Sequence, residues 1–312
     1  MSNTSYNPST LLEAVRYFSD LDVCHEYMVR IKWSGGKITC PKCGGDHVGH
    51  IASRRMFQCK ATDCRKQFST KVGTIFEDSP LGLDKWFVAV WCIANAKNGI
   101  SSYEIGRALG VTQKTAWHML HRIRLAMRTK SFRKIIGEIE SDETFIGGKA
   151  RNMHPGKRKA KGRGTVGKAI VHGLLERGGE VRCKVVADQK RPTLQANVRQ
   201  HVAPGASVYT DSLKSYVGLD ADYIHAAVDH AKCYVEGRVH TNGMENFWSL
   251  FKRCLHGTYV AVAAFHLDRY LDEQTFRFNK RKGSDGTRFL EVMFAVLGKR
   301  LTYAELTGDS VC

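Results

Sequence analysis

Two close cysteine pairs constrain this chain more than any other feature. "CPKC" spans residues 40–43 and "CKATDC" spans 59–64, with fifteen residues between the pairs. Zn²⁺ takes four thiolates at tetrahedral geometry, and each short pair supplies two from one turn. Gly44 and Gly45 suit the first tight knuckle. The step from Cys59 to Cys64 is wider than the usual second knuckle but within its range. Cys40, Cys43, Cys59 and Cys64 are therefore expected to close over one structural Zn²⁺, in a module of short strands at 36–76. The other six cysteines (Cys24, Cys92, Cys183, Cys233, Cys254 and Cys312) are scattered and read as core or surface thiols. The start, "MSNTSYNPST", has neither a basic head nor an apolar run. Reduced thiols and a cytoplasmic protein are expected. The longest apolar run, "WFVAVWCIANA" at 86–96, is far short of the ~20 residues that span a bilayer and reads as a buried helix.

The chain carries 48 Lys and Arg against 30 Asp and Glu, a formal charge of +18. That balance points to an acidic polymer as partner, and nucleic acid above all. Residues 149–164, "KARNMHPGKRKAKGRG", hold seven Lys or Arg and no acid. They read as a basic loop (149–168) and a candidate phosphate-binding arm. The first ~35 residues read as helical, with Ser9 or Thr10 as cap. Within 80–130, "GISSYEIGRALGVTQKTAWHMLHRIRLAMR" reads as a helix-turn-helix. Ser101 or Ser102 caps the first helix, Gly110 ends it, and Thr112 caps the second. Ala116, Leu120 and Ile123 form the inner face. Gln113, Lys114, Thr115, His118 and Arg122 are then the residues offered to a DNA groove.

Against this basic background, "IIGEIESDETF" concentrates acid. Strand alternation puts Glu138, Glu140 and Asp142 on one face, with Ile139 and Ser141 opposite. In "PGASVYTDS" (204–212), a turn and a short apolar strand end at Asp211. "HTNGMENFWSLFKRCL" (240–255) reads as a helix that buries Met244, Phe247, Trp248, Phe251 and Leu255. Its second stripe holds Asn242, Glu245, Ser249 and Lys252. Two strand-borne aspartates and a helix-borne glutamate suit hard divalent cations. Mg²⁺ takes carboxylate oxygens and keeps positions open for water and phosphate. Two such ions, ~3.5–4 Å apart, serve phosphodiester chemistry.

In order, the cysteine pairs, the helix-turn-helix, "ESDETFIGGK", "VYTDSLKSY", "HTNGMENFWSLFKR" and "YLDEQTFRFNKR" resemble the DDE transposases of bacterial insertion sequences. Within these the chain is most similar to the ISXO-like subgroup, over roughly residues 15 to 300. The resemblance implies an α+β, multi-module fold: a helical start (1–35), a zinc ribbon (36–76), a helix-turn-helix region (80–130) and an RNase H-like mixed-sheet catalytic domain (135–300). It implies Asp142, Asp211 and Glu245 as catalytic acids binding Mg²⁺ or Mn²⁺, with Lys252 on DNA phosphate. Some relatives place an Asn third, and Asn242 sits one turn from Glu245. Glu140 and Glu143 stand as alternatives to Asp142. The implied activity is cleavage at element ends and strand transfer into target DNA. The implied partners are double-stranded DNA at element ends and target, and a second copy of the chain on that DNA, with no membrane. A zinc-ribbon and helix-turn-helix regulator without catalysis, or an RNase H-like nuclease that does not join strands, would show the same modules with a different outcome. Within the second strand pair of the core, a hairpin is expected over 167–186 with its turn at Gly178-Gly179.

Overall fold

The computed structural model describes residues 7–128, 133–148, 167–211, 213–228 and 239–308. The basic segment 149–164, Cys233 and Cys312 lie outside the described residues. The chain divides into two compact units. One comprises Met1–Arg128 with Lys280–Cys312, and the other Thr129–Asn279. The sequence reading ran the catalytic domain to 300, but the contacts end it at Asn279.

In the first unit, α1 (Leu11–Tyr17) and α2 (Leu21–Lys32) precede a three-stranded antiparallel sheet of β1 (Val48–Ile51), β2 (Met56–Cys59) and β3 (Gln67–Ser69). Thr10 caps α1 through the Glu13 amide. Next come α3 (Leu83–Asn95), α4 (Ser102–Leu109) and α5 (Gln113–Met127), and the returning chain adds α9 (Asp285–Ala295) and α10 (Tyr303–Thr307). α3 buries Trp86, Phe87, Ala89, Val90, Trp91, Ile93 and Ala94, so it is apolar nearly all round. Such a helix needs cover on every side. α9 supplies part of it: the rings of Trp91 and Phe289 lie 5.4 Å apart. That need explains why the last helices belong to this unit.

The turn between α4 and α5 forms as its residues dictate. Ser101 and Glu104 make a reciprocal capping box, Gly110 takes φ +62°, and Thr112 accepts from the Thr115 amide. No described helix is long and apolar enough to cross a membrane.

The second unit is built on one five-stranded mixed sheet. Its strands are β4 (Glu138–Ile146), β5 (Ala169–Glu176), β6 (Val181–Val186), β7 (Ser207–Asp211) and β8 (Ile224–Val228), in the order β6-β5-β4-β7-β8. β4, β5 and β6 are antiparallel neighbours, whereas β7 runs parallel to β4 and β8 parallel to β7. The β5–β6 hairpin turns through Gly178 at φ +72°, as the Gly-Gly pair predicts. This is the RNase H-like arrangement that the resemblance implies. α6 (Arg191–His201) covers one face with Leu194 and Val198. α7 (Asn242–Cys254) and α8 (Leu267–Asn279) cover the other with Met244, Phe247, Trp248, Phe251, Leu267 and Leu271. α7 lies close because β5 offers Gly173 beneath it. A Cβ there would meet Met244 Cε at 2.3 Å and the Trp248 ring at 2.7 Å.

Candidate functional site

β4 and β7 pair in parallel through Glu138↔Ser207, Ile139↔Val208 and Glu140↔Tyr209. The same register carries Asp142 level with Asp211, on the same face of neighbouring strands. Pairing stops at Glu140 and Tyr209, so side chains from both faces of β4 reach the space beyond. Asp142, Glu143 and Asp211 converge there, with one carboxylate oxygen of each within 4.8 Å of the others. The cleft lies beyond the carboxyl end of β7, where open sheets of this kind bind ligands. Adjacent like charges repel unless a cation lies between them, so the donor set fits a hard divalent ion.

Asp142 and Glu143 are each held by named donors. Trp248 Nε1 donates to Asp142 Oδ2 (3.0 Å), and the Glu143 amide donates to Asp142 Oδ1 (2.8 Å). Burial and the Asp211 charge push the Asp142 carboxyl up to about 6, with the Glu245 charge adding to the rise. Burial, then the Asp211 and Asp142 charges, push Glu143 up to about 8. The Tyr216 hydroxyl donates to Glu143 Oε1. Behind it runs a buried polar chain. Ser141 Oγ lies 3.1 Å from the Tyr216 hydroxyl and 2.9 Å from His172 Nε2, and Asn197 Nδ2 lies 2.7 Å from His172 Nδ1. Burial depresses His172 to about 3, so its ring is neutral.

Glu245 stands in the first turn of α7, exposed, and is outside the converging group. Asn242 opens that helix and is also exposed; Lys252 is half-buried two turns on. The stripe Met244, Phe247, Trp248, Phe251 and Leu255 is buried as its spacing predicts. Glu140 does not stand in for Asp142. It is 1% exposed and accepts from the Met244 amide and from Arg177 Nε, both at 2.9 Å. Glu143 joins Asp142 instead of replacing it. Tyr216 is the last residue of "VYTDSLKSY", but no spacing rule marks it or His172 as part of the site.

In the first unit, Cys40 Sγ lies 3.7 Å from Cys64 Sγ and Cys43 Sγ lies 3.6 Å from Cys59 Sγ. A tetrahedron with Zn–S near 2.3 Å has S···S edges of about 3.8 Å, so the four sulfurs fit zinc. The Gly44 amide bonds the Cys40 carbonyl (2.8 Å) with Gly44 at φ +75°, which closes the first knuckle.

Comparison with known proteins gives the same two modules. The ISXO2-like transposase domain matches residues 134–279, and the transposase zinc-ribbon domain matches 20–67. A protein of the transposable element ISH50 from Halobacterium salinarum is 31% identical over 246 residues, covering 73% of this chain and 81% of its own. The chain belongs to the ISXO2-like transposases. A transposase-like protein of Haemophilus influenzae is 34% identical over 104 residues, 32% of this chain and 84% of its own. A crystal structure of the Mos1 strand transfer complex aligns with a TM-score of 0.26 at 12% identity, covering 69% of this chain and 79% of that one.

The recognition-helix reading needs correction in this transposase. Arg122 is not offered outward. It is 5% exposed, its Nη2 donates to the Glu77 carbonyl, and its guanidinium lies 5.5 Å from the Trp86 ring centroid. His118 is turned against the Tyr303 ring, 5.6 Å between centroids. Gln113 Nε2 donates to Ser102 Oγ (2.8 Å), and Thr115 Oγ1 lies 2.9 Å from Thr112 Oγ1. Of the five, Lys114 alone is exposed, with its ammonium 4.7 Å from the Tyr303 ring centroid. The reason is that α3, α4, α9 and α10 all pack on α5. Helical periodicity finds one covered face, and here there is more than one. Arg122→Ala is therefore expected to lower the melting temperature by ~4–8 °C, for a loss of about 2 kcal/mol of hydrogen bonding and packing. DNA affinity per folded molecule should stay as it was, in contrast to a base-reading arginine.

Metal-free stability should fall as pH rises above neutrality. Glu143 has a raised folded-state value, so the unfolded chain gives up its proton first. Between pH 6.5 and 8 the native state alone holds that proton, which costs about 2 kcal/mol at ~1.4 kcal/mol per pH unit. His172, whose folded value is depressed, acts in the opposite direction, and only below its ordinary 6.5. Thermal melts in EDTA across this window should therefore slope downward more steeply for wild type than for Glu143→Gln, with the lowered Cys40 thiol acting in the opposite sense in both. Mg²⁺ at the upper end should restore the wild type.

Proposed function

We propose that this chain is a DDE-type transposase that binds insertion-element ends, cleaves there and transfers the freed strand to target DNA, with Asp142, Asp211 and Glu245 as its acids. The observation that carries the reading is the convergence of Asp142 and Asp211, level with each other just beyond the paired part of two parallel strands, with the charge of Glu245 on α7 reaching Asp142. Mg²⁺ or Mn²⁺ held by these acids would activate the attacking oxygen and stabilise the leaving oxygen of a phosphodiester. The chain's own residues do the rest. Trp248 and the Glu143 amide fix the two oxygens of Asp142. Lys252 lies on the Glu245 stripe, where its ammonium would meet DNA phosphate. Glu245 is preferred over Asn242 because a carboxylate is the better ligand for a hard cation.

Four thiolates at 40–64 would hold a structural Zn²⁺, and that ribbon together with the α4–α5 turn would bind the element ends. Lys114 is the surface cation at the start of α5, the end of a recognition helix that enters a groove. Joining two ends calls for at least two copies of the chain on one DNA. The test is a strand-transfer assay with labelled element-end DNA and a target plasmid, in Mg²⁺ or in EDTA. Joined product that requires metal supports the reading, and Glu245→Gln beside Asn242→Ala assigns the third ligand. Cleavage without joining would make the chain a nuclease. Tight end binding with no cleavage under any metal would make it a DNA-binding regulator.

A further inference from the structure

The amides in the first turn of α7 have no partners within the helix and need acceptors from outside it. Glu140 of β4 supplies one: its Oε2 takes the Met244 amide at 2.9 Å. Its Oε1 takes Arg177 Nε at 2.9 Å, and Arg177 Nη2 donates to the His240 carbonyl at 2.9 Å, just before the helix. Glu140 thus grips an amide inside the first turn, and through Arg177 the backbone that leads into it. A carboxylate at a helix N-terminus also meets the positive end of the helix dipole.

The fit allows no slack. A Cβ on Gly243 would lie 2.7 Å from Glu140 Oε2 and 2.6 Å from Leu175 Cδ2. On the strand, Asp142 is two residues beyond Glu140. On the helix, Glu245 is one residue beyond Met244. The grip at Glu140 therefore bears directly on the distance between these two acids.

We propose that Glu140 is a positioning residue for the cation site, holding the first turn of α7 on β4 so that Glu245 reaches the ion shared with Asp142. The inference rests on the reading of Asp142, Asp211 and Glu245 as cation-binding acids. It predicts that weakening the grip removes the ion Glu245 helps to hold and spares the one between Asp142 and Asp211. A second way to loosen it is Gly243→Ala, which raises intrinsic helix propensity while forcing the turn away from Glu140. Because the added Cβ also meets Leu175, this variant reports on the seating of the turn as a whole, and Glu140→Gln isolates the carboxylate.

The experiment is Mn²⁺ binding to the full chain, followed by the paramagnetic resonance signal of free Mn²⁺, with hydrogen exchange of residues 242–247 alongside. Wild type is expected to bind two ions per chain. Glu140→Gln, Gly243→Ala and Glu245→Gln should each bind one, with the remaining affinity unchanged, and Glu140→Gln with Glu245→Gln together should lose nothing further. Exchange at the first-turn amides should quicken in the first two variants only. Two ions retained in Glu140→Gln, or both lost with a collapse in melting temperature, would overturn the inference while leaving the acids in place. No Mn²⁺ bound by wild type would overturn the cation reading of the acids, and this inference with it.

Discussion

Asp142→Asn is expected to abolish end cleavage and strand transfer, a loss of ~10³-fold or more, while end binding persists. The magnitude follows from the chemistry: a divalent ion supplies several kcal/mol of charge stabilisation at the phosphodiester, and each ~1.4 kcal/mol is a factor of ten. Asp142 lies level with Asp211, so its loss removes one of the three converging carboxylates. Asp211→Asn should behave the same way. The fold should not suffer. Asp142 is a carboxyl pushed up to about 6 by burial and by neighbouring charge, so its ionised form is a strain on the metal-free protein at pH 7. A neutral amide of the same shape removes that strain but turns its NH2 toward one of the two donors, so the melting temperature in EDTA should change little. Gel-shift affinity, cleavage rate and EDTA melts on one preparation check all three points. A variant that cleaves within tenfold of wild type, or one that melts much lower, would count against this assignment.

Cys40→Ser should empty the zinc site and unfold the ribbon, with loss of end binding, while the Thr129–Asn279 unit stays folded. The strands of the ribbon are four, four and three residues long. Its buried cluster is Trp33, Cys40, Phe57, Cys59 and Phe68, two of which are themselves candidate ligands. Three strands so short, with so few apolar side chains, do not hold a fold by themselves. A zinc ion held by the four thiolates would make up the difference: structural zinc contributes on the order of 10 kcal/mol at pH 7, and three thiolates would recover only part of that. Zinc content by mass spectrometry should fall from one per chain to near zero, and amides over 36–69 should lose their exchange protection. Prolonged chelation of the wild type should reproduce both changes. A ribbon that keeps its protection without zinc would show that packing alone sustains it.

Much of the site was legible because its cues are local. Alternation along 138–142 put Glu140 and Asp142 on one strand face, and β4 has them there, each accepting from α7. The stripe from Met244 to Leu255 named the buried side of α7 before any partner was known. The misreadings share one cause. Periodicity shows where apolar residues lie but not how many elements cover a helix, so Arg122 read as outward although it is enclosed. The same blindness applied to 280–300, whose helix had to be given to whichever unit needed it.

What the sequence determined by itself was the set of parts: four cysteines at knuckle spacing, caps and a glycine at the α4–α5 turn, and two strand-borne aspartates, Asp142 within its strand and Asp211 at the end of its own. Each depends on residues within a few positions of one another, where backbone geometry is fixed by chain connectivity. The tertiary structure alone decided how the acids divide their work. The point where β4 and β7 cease to pair lets Glu143 join Asp142 and Asp211 from the opposite face. The approach of α7 over Gly173 and Gly243 commits Glu140 to the helix start. Those outcomes turn on contacts between residues a hundred positions apart. Close packing and the need to satisfy every buried polar group settle them, and neither is written in any local pattern.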